Sequence, residues 1–532
     1  MTRTGRVLVG PLLALYIVQC LHYIASTSFV VEDQRYFTLW DDAMISMQYA
    51  KNLALGNGLV WVAGEAPVQG FTNLGTTLLM ALLHLIPAPR GGVALLFQLV
   101  NLGCLVAIVR YTYRLSDLLF GSVWVASGAA LVTALYGPLN IWSLQGSDAG
   151  LLALLLLVAL VHLVRARNAG APVPLRVYGI LAVGVVVRQD FSIVVGLVAA
   201  YEFLSARGAE RWKRAAPGVF SLALVWAALA LFSQYTYGDP LPNTYYLKAT
   251  GNPRDLVLRS GLSQLVAVFS GRGLIVLGLL AGYATVLLRH ERRDLLALLL
   301  ALIASFHAYY VWIGGDWVVL HTSRYLVAVV PLLIVLLCGG AWRVSDWLRK
   351  REFPSAVGAG AFSAQLLVLT FSLNPAASVS EWHARSSEPM YLEENSNNVT
   401  FALSICRYTT PDATVGVFWA GVPVYFCDRS YVDLLGRTDR HIAKLSMDDF
   451  VGPGHAKWDW DYILNQRKLD VLAHWVPELQ ERRDFDRLYC LARMPNAGMI
   501  LPIRKESHEK LLDRDLRLCG TTPYPPCRDC QL

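Results

Sequence analysis

Long apolar stretches recur through residues 1–374 of this 532-residue chain, and short charged clusters separate them. About 20 apolar residues in a row are enough for a helix to cross the hydrocarbon core of a bilayer. The pattern predicts eleven transmembrane helices, near 7–30, 93–114, 121–139, 148–165, 176–188, 191–205, 214–236, 264–289, 294–313, 324–343 and 355–373. Residues 375–532 have the composition of a soluble domain, so we predict a membrane domain followed by a second, globular one.

Lysine and arginine placement predicts how these helices are oriented. Arg3 and Arg6 precede the first stretch, and Arg110 and Arg114 end the next one, which places both clusters in the cytoplasm. The apolar stretch Thr72–Ile86 between them then cannot cross, and we expect a juxtamembrane or re-entrant helix on the outer face. An odd number of crossings puts the globular domain outside. In a bacterium, this would be the periplasmic side of the inner membrane.

Composition agrees with this architecture. The chain is 55% hydrophobic and 16% charged, well below the usual charged fraction of a soluble protein. Its net charge of +7 does not point to nucleic acid, because the basic residues cluster in short loops between spans. Membrane lipids are the predicted surroundings.

Nine cysteines are divided between the two parts of the chain. Six lie in the globular domain and predict disulfides in an oxidising compartment: Cys406, Cys427, Cys490, Cys519, Cys527 and Cys530. The spacing of Cys527 and Cys530 leaves half of a zinc site as an alternative. Pro- and Gly-separated segments predict a mixed α/β domain, with strands at Ala413–Gly421 and Val422–Cys427 and a helix at Trp458–Lys468.

Two adjacent acids, Asp41 and Asp42, directly follow the first apolar stretch. Apolar residues then recur at helical spacing up to Gly56, a typical helix stop. An aspartate N-cap is the alternative interpretation, but one acid suffices for a cap. Neighbouring carboxylates repel each other, so we predict that this pair is catalytic. The pair is also a candidate ligand set for a divalent metal.

Polar groups in four further outer segments complete the predicted site. Arg188 and Asp190 lie at the tip of a helical hairpin, where they either bind a ligand or form a structural ion pair. The other candidate phosphate-binding residues are Asn243, Tyr245, Tyr246, Lys248, His321 and Arg324, and the candidate cavity residues are Gly70, Thr72, Asn73, Trp142, Asp148, Asp316 and Trp317. An interfacial aromatic belt at 245–246 and a plain turn at 314–317 are the alternatives.

Acids beside cations on one outer face suit a particular chemistry. A carboxylate would either take a proton from an attacking hydroxyl group or stabilise an oxocarbenium-like sugar, while arginine and lysine would hold a departing phosphate. Nucleotide sugars are scarce outside the cell, so a lipid-linked phosphate is the expected leaving group.

Several segments together resemble one family. The chain is similar to a bacterial branch of the GT-C glycosyltransferases, in particular to the mycobacterial and corynebacterial terminal β-(1→2)-arabinofuranosyltransferases and their proteobacterial relatives. The segments that carry the resemblance are WDDAMISMQYAKNLALGNGLVW, GFTN, RQD, DPLPNTYYLKATG, GGDW, SRYLVAVVP, YVDLLGRTDRHIA and GHAKWDWDYIL.

The resemblance implies a mostly helical, polytopic GT-C fold and a polyprenyl-phosphate-linked sugar donor. It also implies a periplasmic cavity whose catalytic aspartates are Asp41 and Asp42. Relatives carry proline where this chain has Gln189 and glutamate where it has Asp148, so the reach of the side chain at 148 differs.

We therefore predict transfer of one sugar, with arabinofuranose favoured, to a cell-envelope glycan. The alternatives are a protein (pilin-like) or lipid acceptor, and a transporter or flippase for a lipid-linked sugar. A flippase predicts inverted sequence repeats, and the chain shows none.

Overall fold

The computed structural model describes residues 3–316, 323–350, 355–383, 389–473, 482, 484–493, 500–512 and 517–519. The membrane part is mostly helical. Its helices, in chain order from α1 to α18, are Arg3–Ser26, Asp41–Ala54, Leu74–His84, Arg90–Phe120, Val123–Ala134, Gly137–Leu144, Ala149–Asn168, Leu175–Val187, Ser192–Leu204, Glu210–Tyr237, Asn243–Ala249, Arg254–Phe269, Arg272–Leu288, Arg293–Trp312, Arg324–Val327, Val330–Arg349, Ser355–Leu373 and Ala376–Trp382. A short hairpin of β1 (Phe29–Val31) and β2 (Gln34–Tyr36) follows α1.

Seven helices in the described part of the chain, α1, α4, α7, α10, α14, α16 and α17, are long and apolar enough to cross a membrane. Two bent pairs, α5 with α6 (52°) and α12 with α13 (80°), bring the number to nine if each pair is one span. The two other predicted crossings are α8 and α9, of 13 residues each. Helices of that length measure about 20 Å, less than the ~30 Å core of a bilayer. They form the predicted hairpin, with Gln189–Phe191 as a 3₁₀ turn between them.

The predicted juxtamembrane helix is α3, which has only 11 residues. It packs against α2, the helix that begins with the two adjacent acids. Together α2 and α3 form a layer beside the hairpin tip.

The globular part is mixed α/β, as predicted. Its strands β3 to β8 form one six-stranded sheet in the order β4-β3-β5-β7-β6-β8, in which β3 runs parallel to β4 and β5. The strands are Thr414–Val417, Ser430–Asp433, Val471–Leu472, Tyr489–Arg493, Ile500–Arg504 and Arg517–Cys519. The helices α19 to α22 are Leu392–Tyr408, Val422–Phe426, Arg440–Ala443 and Phe485–Leu488, and Tyr462–Arg467 forms a π-helical turn.

The strand predicted at Val422–Cys427 is wrong, because Val422–Phe426 is the helix α20. Pro423 lies in the first turn of this helix, where its missing N–H is not needed. In a sheet the same proline would remove a ladder hydrogen bond. The apolar run alone did not distinguish the two structures.

The globular part docks directly on α2 and the loop after it. The Lys51 ammonium donates to the carbonyl of Tyr425 (3.0 Å) and the carboxylate of Asp428 (2.8 Å). The Trp61 indole donates to the carbonyl of Ala420 at 3.0 Å. Buried apolar residues of both parts belong to one continuous core. The outer loop and the globular part are therefore held in a fixed relation.

Among the described residues, a disulfide joins Cys406, in α19, to Cys427, directly after α20. The Cys490 thiol is buried in β6 and donates to the backbone carbonyl of Ile503 at 3.6 Å. Cys519 ends strand β8, and the two remaining predicted cysteines, Cys527 and Cys530, lie outside the described residues, as does the proposed half zinc site.

Replacing Cys406 and Cys427 with serine should lower the free energy of unfolding by about 3 kcal/mol, because the bridge closes a loop of 21 residues. Chemical denaturation of the purified protein measures this loss. Reducing agent should lower the free energy of unfolding of the wild type by a similar amount and leave that of the double variant unchanged. A reducing-agent effect of equal size in the variant would contradict the assignment.

Candidate active site

A cavity of about 220 Å³ lies between α2, the hairpin tip, α11, α14, α15 and the globular part. Three acids and four basic side chains line it, and aromatic rings form much of the remaining wall. The lining residues are Trp40, Asp42, Ala43, Ile45, Ser46, Gly70, Phe71, Thr72, Asn73, Gly146, Ser147, Asp148, Arg188, Gln189, Asp190, Pro242, Thr244, Tyr245, Lys248, Ala249, Tyr309, Trp312, Ile313, Arg324, Tyr325 and Arg437.

Asp42 occupies the centre of the charged groups. One carboxylate oxygen accepts from Arg324 at 2.7 Å, and the other accepts from Arg437. The Arg324 guanidinium also lies over the Trp40 ring, 4.1 Å from its centroid, and faces Asp316 at 3.4 Å. Asp42 therefore stands in the cavity between two fixed cations.

Asp41 points the other way, although it is the adjacent residue. Its carboxylate accepts the backbone N–H groups of Gly421 (3.1 Å) and Val422 (2.8 Å) at the start of α20. Successive residues on a helix point about 100° apart, so the two acids cannot share one direction. Neither acid caps its own helix, because Trp40 is the N-cap residue and makes no side-chain cap bond. Asp41 holds the globular part, and only Asp42 faces the cavity.

Burial raises the pKa of Asp41 to about 6, against the lowering effect of the Val422 N–H and of Arg437. The folded state therefore binds more protons than the unfolded chain between pH ~4 and ~6. The stability linked to this group is present below pH ~4 and is lost as the pH rises through ~6, by roughly 3 kcal/mol.

An Asp41→Asn variant should lack this dependence. The melting temperature of the wild type, measured relative to Asp41→Asn, should fall between pH 4 and 6 and stay level above that range. Asp433, whose pKa burial also raises to about 6, titrates in both proteins, so the difference removes its own contribution and keeps that of Asp41 and of the repulsion between the two acids. A difference that does not change with pH would show that Asp41 ionises normally.

The hairpin tip supplies a second charged pair. Arg188 donates to Asp190 at 2.8 Å and lies over the Tyr325 ring at 5.2 Å. The structural ion pair is therefore present and both of its residues line the cavity, whereas ligand binding by this tip stays a prediction. The Nη2 atom of Arg188 is buried and has no hydrogen-bond partner among the residues that the structure describes. A buried unpartnered donor of this kind is costly unless a ligand accepts from it.

Lys248 is on α11, and its ammonium lies 3.4 Å from the Tyr325 hydroxyl. Burial, together with three nearby cations, lowers the pKa of His455 to about 3. These cations are Arg437, Lys248 and Arg324. Basic groups from three separate elements therefore converge on one end of the cavity.

The first outer loop closes the opposite wall. Asn73 and Thr76 donate to the Asp148 carboxylate at 3.3 and 2.6 Å. A side chain at Gly70 would collide with Thr438 (2.6 Å) and the Tyr49 hydroxyl (2.9 Å). Glycine at position 70 thus allows the globular part to approach the cavity.

Four other predicted site residues support the cavity from behind. Asn243 donates to the carbonyls of residues 436, 437 and 439, Tyr246 bonds to Asp239, Trp142 packs edge-on against Trp40, and Asp316 lies behind Arg324. Trp317 and His321 lie outside the described residues. The remaining ten predicted residues, Asp41 excepted, line the cavity: Asp42, Gly70, Thr72, Asn73, Asp148, Arg188, Asp190, Tyr245, Lys248 and Arg324.

Arg437 is the main residue that the sequence analysis missed. It lies in the segment YVDLLGRTDRHIA of the globular part, which carries the family resemblance but gives no sign of reaching a membrane cavity. Its contact with Asp42 joins positions 395 residues apart. No spacing rule covers such a distance.

The acids do not fit a divalent metal. Asp41 is engaged by backbone N–H groups, and Asp42 lies between two guanidinium groups that would repel a cation. No group of three potential metal-ligating side chains occurs within the described ranges.

Two solved structures have a similar architecture. ArnT from Cupriavidus metallidurans, in the apo state, aligns with a TM-score of 0.57 at 12% identity, over 94% of this chain and 98% of ArnT. The oligosaccharyltransferase AglB from Archaeoglobus fulgidus, in complex with an inhibitory peptide and a dolichol-phosphate, aligns with a TM-score of 0.58 at 10% identity, over 95% of this chain and 75% of AglB. Both are GT-C membrane enzymes. The chain has the GT-C fold.

Sequence comparison adds one result. Residues 390–506 match a family described as a domain of unknown function, DUF8728. No curated protein matches the chain. The matched region includes Arg437 and the segment that receives Asp41, so this domain of the GT-C chain takes part in the candidate site.

Proposed function

We propose that this GT-C chain is a membrane glycosyltransferase that moves one sugar from a polyprenyl-phosphate carrier to an acceptor on the periplasmic side. The observation that carries the proposal is Asp42, a carboxylate in a cavity lined by four basic side chains. A proton acceptor beside a cluster of cations matches the needs of a reaction that releases a phosphate.

The proposed reaction forms a glycosidic bond, breaks the bond between sugar and phosphate, and transfers one proton. The acceptor hydroxyl oxygen attacks C1 of the sugar and its proton passes to the Asp42 carboxylate. The bond between C1 and the phosphate oxygen breaks, and the phosphate leaves with the electron pair. A negative charge thereby moves from Asp42 to the lipid phosphate.

Arg188, Lys248 and Arg324 are the proposed phosphate ligands. Arg188 offers a buried Nη2 that has no partner in the described part of the chain, and its ion pair with Asp190 fixes its position. Tyr245 and Tyr325 supply ring surface beside these cations. A sugar phosphate has the anionic and ring surfaces that such a site binds.

Arabinofuranose is the proposed sugar and a cell-envelope glycan the proposed acceptor, both on the sequence resemblance. AglB supports the lipid-phosphate class of donor, since it was solved with a dolichol-phosphate. Counted from a cytoplasmic N-terminus, nine and eleven crossings are both odd numbers. Either number would place the globular part in the periplasm. A protein or lipid acceptor uses the same chemistry and differs only in what enters the cavity.

The test is a transfer assay with the purified full-length protein and a panel of synthetic polyprenyl-monophosphate sugars, with arabinofuranose included. We expect release of polyprenyl phosphate that depends on the acceptor glycan. Nucleotide sugars carrying the same sugars form the control and should give no transfer. Movement of a labelled lipid-linked sugar across vesicles without sugar transfer would favour the flippase alternative instead.

A further inference from the structure

Arg437 is the basic group of the cavity that comes from the domain of unknown function. Its side chain is 14% exposed and its guanidinium pairs with the Asp42 carboxylate. Within the part of the chain that the structure describes, Asp42 is the only ion-pair partner recorded for Arg437. Burial lowers the pKa of Arg437 to about 10, although Asp41 acts in the opposite direction. Its guanidinium is thus in direct contact with one carboxylate, that of Asp42, and Asp41 adds a favourable charge without an ion-pair contact.

Arg324, the other cation on Asp42, is held differently. It pairs with Asp316 as well as with Asp42, and it lies over the Trp40 ring. Removing Asp42 from its contacts would leave Arg324 in place. Arg437 is the cation free to change partner.

Asp42 is a poor base as it stands. A guanidinium group holds each of its two oxygens, and opposite charges at that distance favour the ionised form of a carboxylate. To accept a proton, Asp42 has to lose at least one of these contacts.

We propose that the phosphate of the donor draws Arg437 away from Asp42, so that donor binding itself releases the catalytic base and gives the leaving phosphate a cation. The proposal rests on the proposed function. When the hydroxyl proton neutralises Asp42 and the phosphate departs with its electron pair, the negative charge moves from one partner of Arg437 to the other. A single arginine from the globular part then compensates the charge of Asp42 before donor binding and the charge of the phosphate during the reaction. This gives the globular part a role in the reaction.

The experiment measures binding of farnesyl phosphate, a short polyprenyl monophosphate, to the full-length protein. Arg437→Gln should weaken binding about tenfold, the usual size of a lost charge-assisted hydrogen bond. Asp42→Asn should tighten binding about tenfold in the wild-type background, because Arg437 no longer has to leave a carboxylate. In the Arg437→Gln background the same change should have less than a roughly threefold effect.

Matched controls separate this exchange from a general change in charge. Asp148→Asn also removes a cavity acid, and its effect on affinity should be equal in both backgrounds. Arg487→Gln removes an exposed arginine of the same domain and should leave affinity unchanged. Farnesol, which lacks the phosphate, should bind all variants alike.

Equal effects of Asp42→Asn in the two backgrounds would overturn the exchange, as would a wild type that does not bind farnesyl phosphate. If Arg437→Gln does not fold, Arg437→Met takes its place, since methionine is a flexible unbranched side chain that also removes the charge. The binding cycle is independent of sugar transfer. Binding as expected without transfer would refute the proposed function alone, whereas transfer with additive binding effects would refute the role of Arg437 alone.

Discussion

Asp42→Asn should lower the turnover number for sugar transfer roughly 1,000-fold, the size of effect that loss of a general base produces. The amide keeps the shape of the side chain and a hydrogen-bond acceptor for Arg324, so the fold should be preserved. The measurement is the initial rate of sugar release from a synthetic polyprenyl-phosphate donor. Gel filtration and melting temperature check that the variant is folded.

Asp41→Asn is the matched control for this prediction, since it makes the same change one residue earlier. Its side-chain oxygen can still accept the N–H groups of Gly421 and Val422, so the rate should stay within about tenfold of the wild type. If Asp41→Asn loses as much activity as Asp42→Asn, the base has been assigned to the wrong aspartate.

Gly421→Ala should displace the globular part from α2 and reduce stability by about 3 kcal/mol, because the added methyl group has no room. The new Cβ would collide with the backbone carbonyl oxygen of Asp41 and lie 2.9 Å from its carboxylate. Sugar transfer should fall with stability, since Arg437 reaches the cavity only while this contact is made. Thermal unfolding and protease sensitivity of the globular part measure the two effects.

Gly103→Ala is the matched substitution for comparison. A Cβ at position 103 has nothing within 4 Å, and alanine favours helix over glycine. This variant should be as stable and active as the wild type. A Gly421→Ala protein of normal stability would mean that α2 and α20 are not in contact in solution.

Much of the fold followed from the sequence because its signals are local. Apolar length and basic loops gave the helices and the short non-crossing α3, and turn residues gave the mixed α/β composition of the globular part. Two signals were ambiguous. Residues 422–426 are apolar enough for a strand but form a helix around Pro423, and α8 and α9 are apolar but shorter than a bilayer.

Part of the candidate site could also be predicted, because it too depends on local sequence signals. Cations and acids in outer loops could be recognised by type, and ten of the predicted residues line one cavity. The roles of Asn243, Tyr246 and Trp142 could not be read in this way, since a loop residue that lines a cavity and one that braces it have similar sequence patterns. Their partners are backbone carbonyls, Asp239 and Trp40, all outside their own helical turn.

The sequence by itself determined that two adjacent acids begin a short helix beside a membrane, with basic groups in other outer loops. Only the tertiary structure decided which acid faces the cavity. Neighbouring residues on a helix point about 100° apart, so the two side chains face different surroundings. The N–H groups at the start of α20 bind the Asp41 carboxylate, and the Asp42 side chain faces the cavity. The structure also brought Arg437 to Asp42 across 395 positions, because docking of two parts of a chain depends on their surfaces and not on spacing.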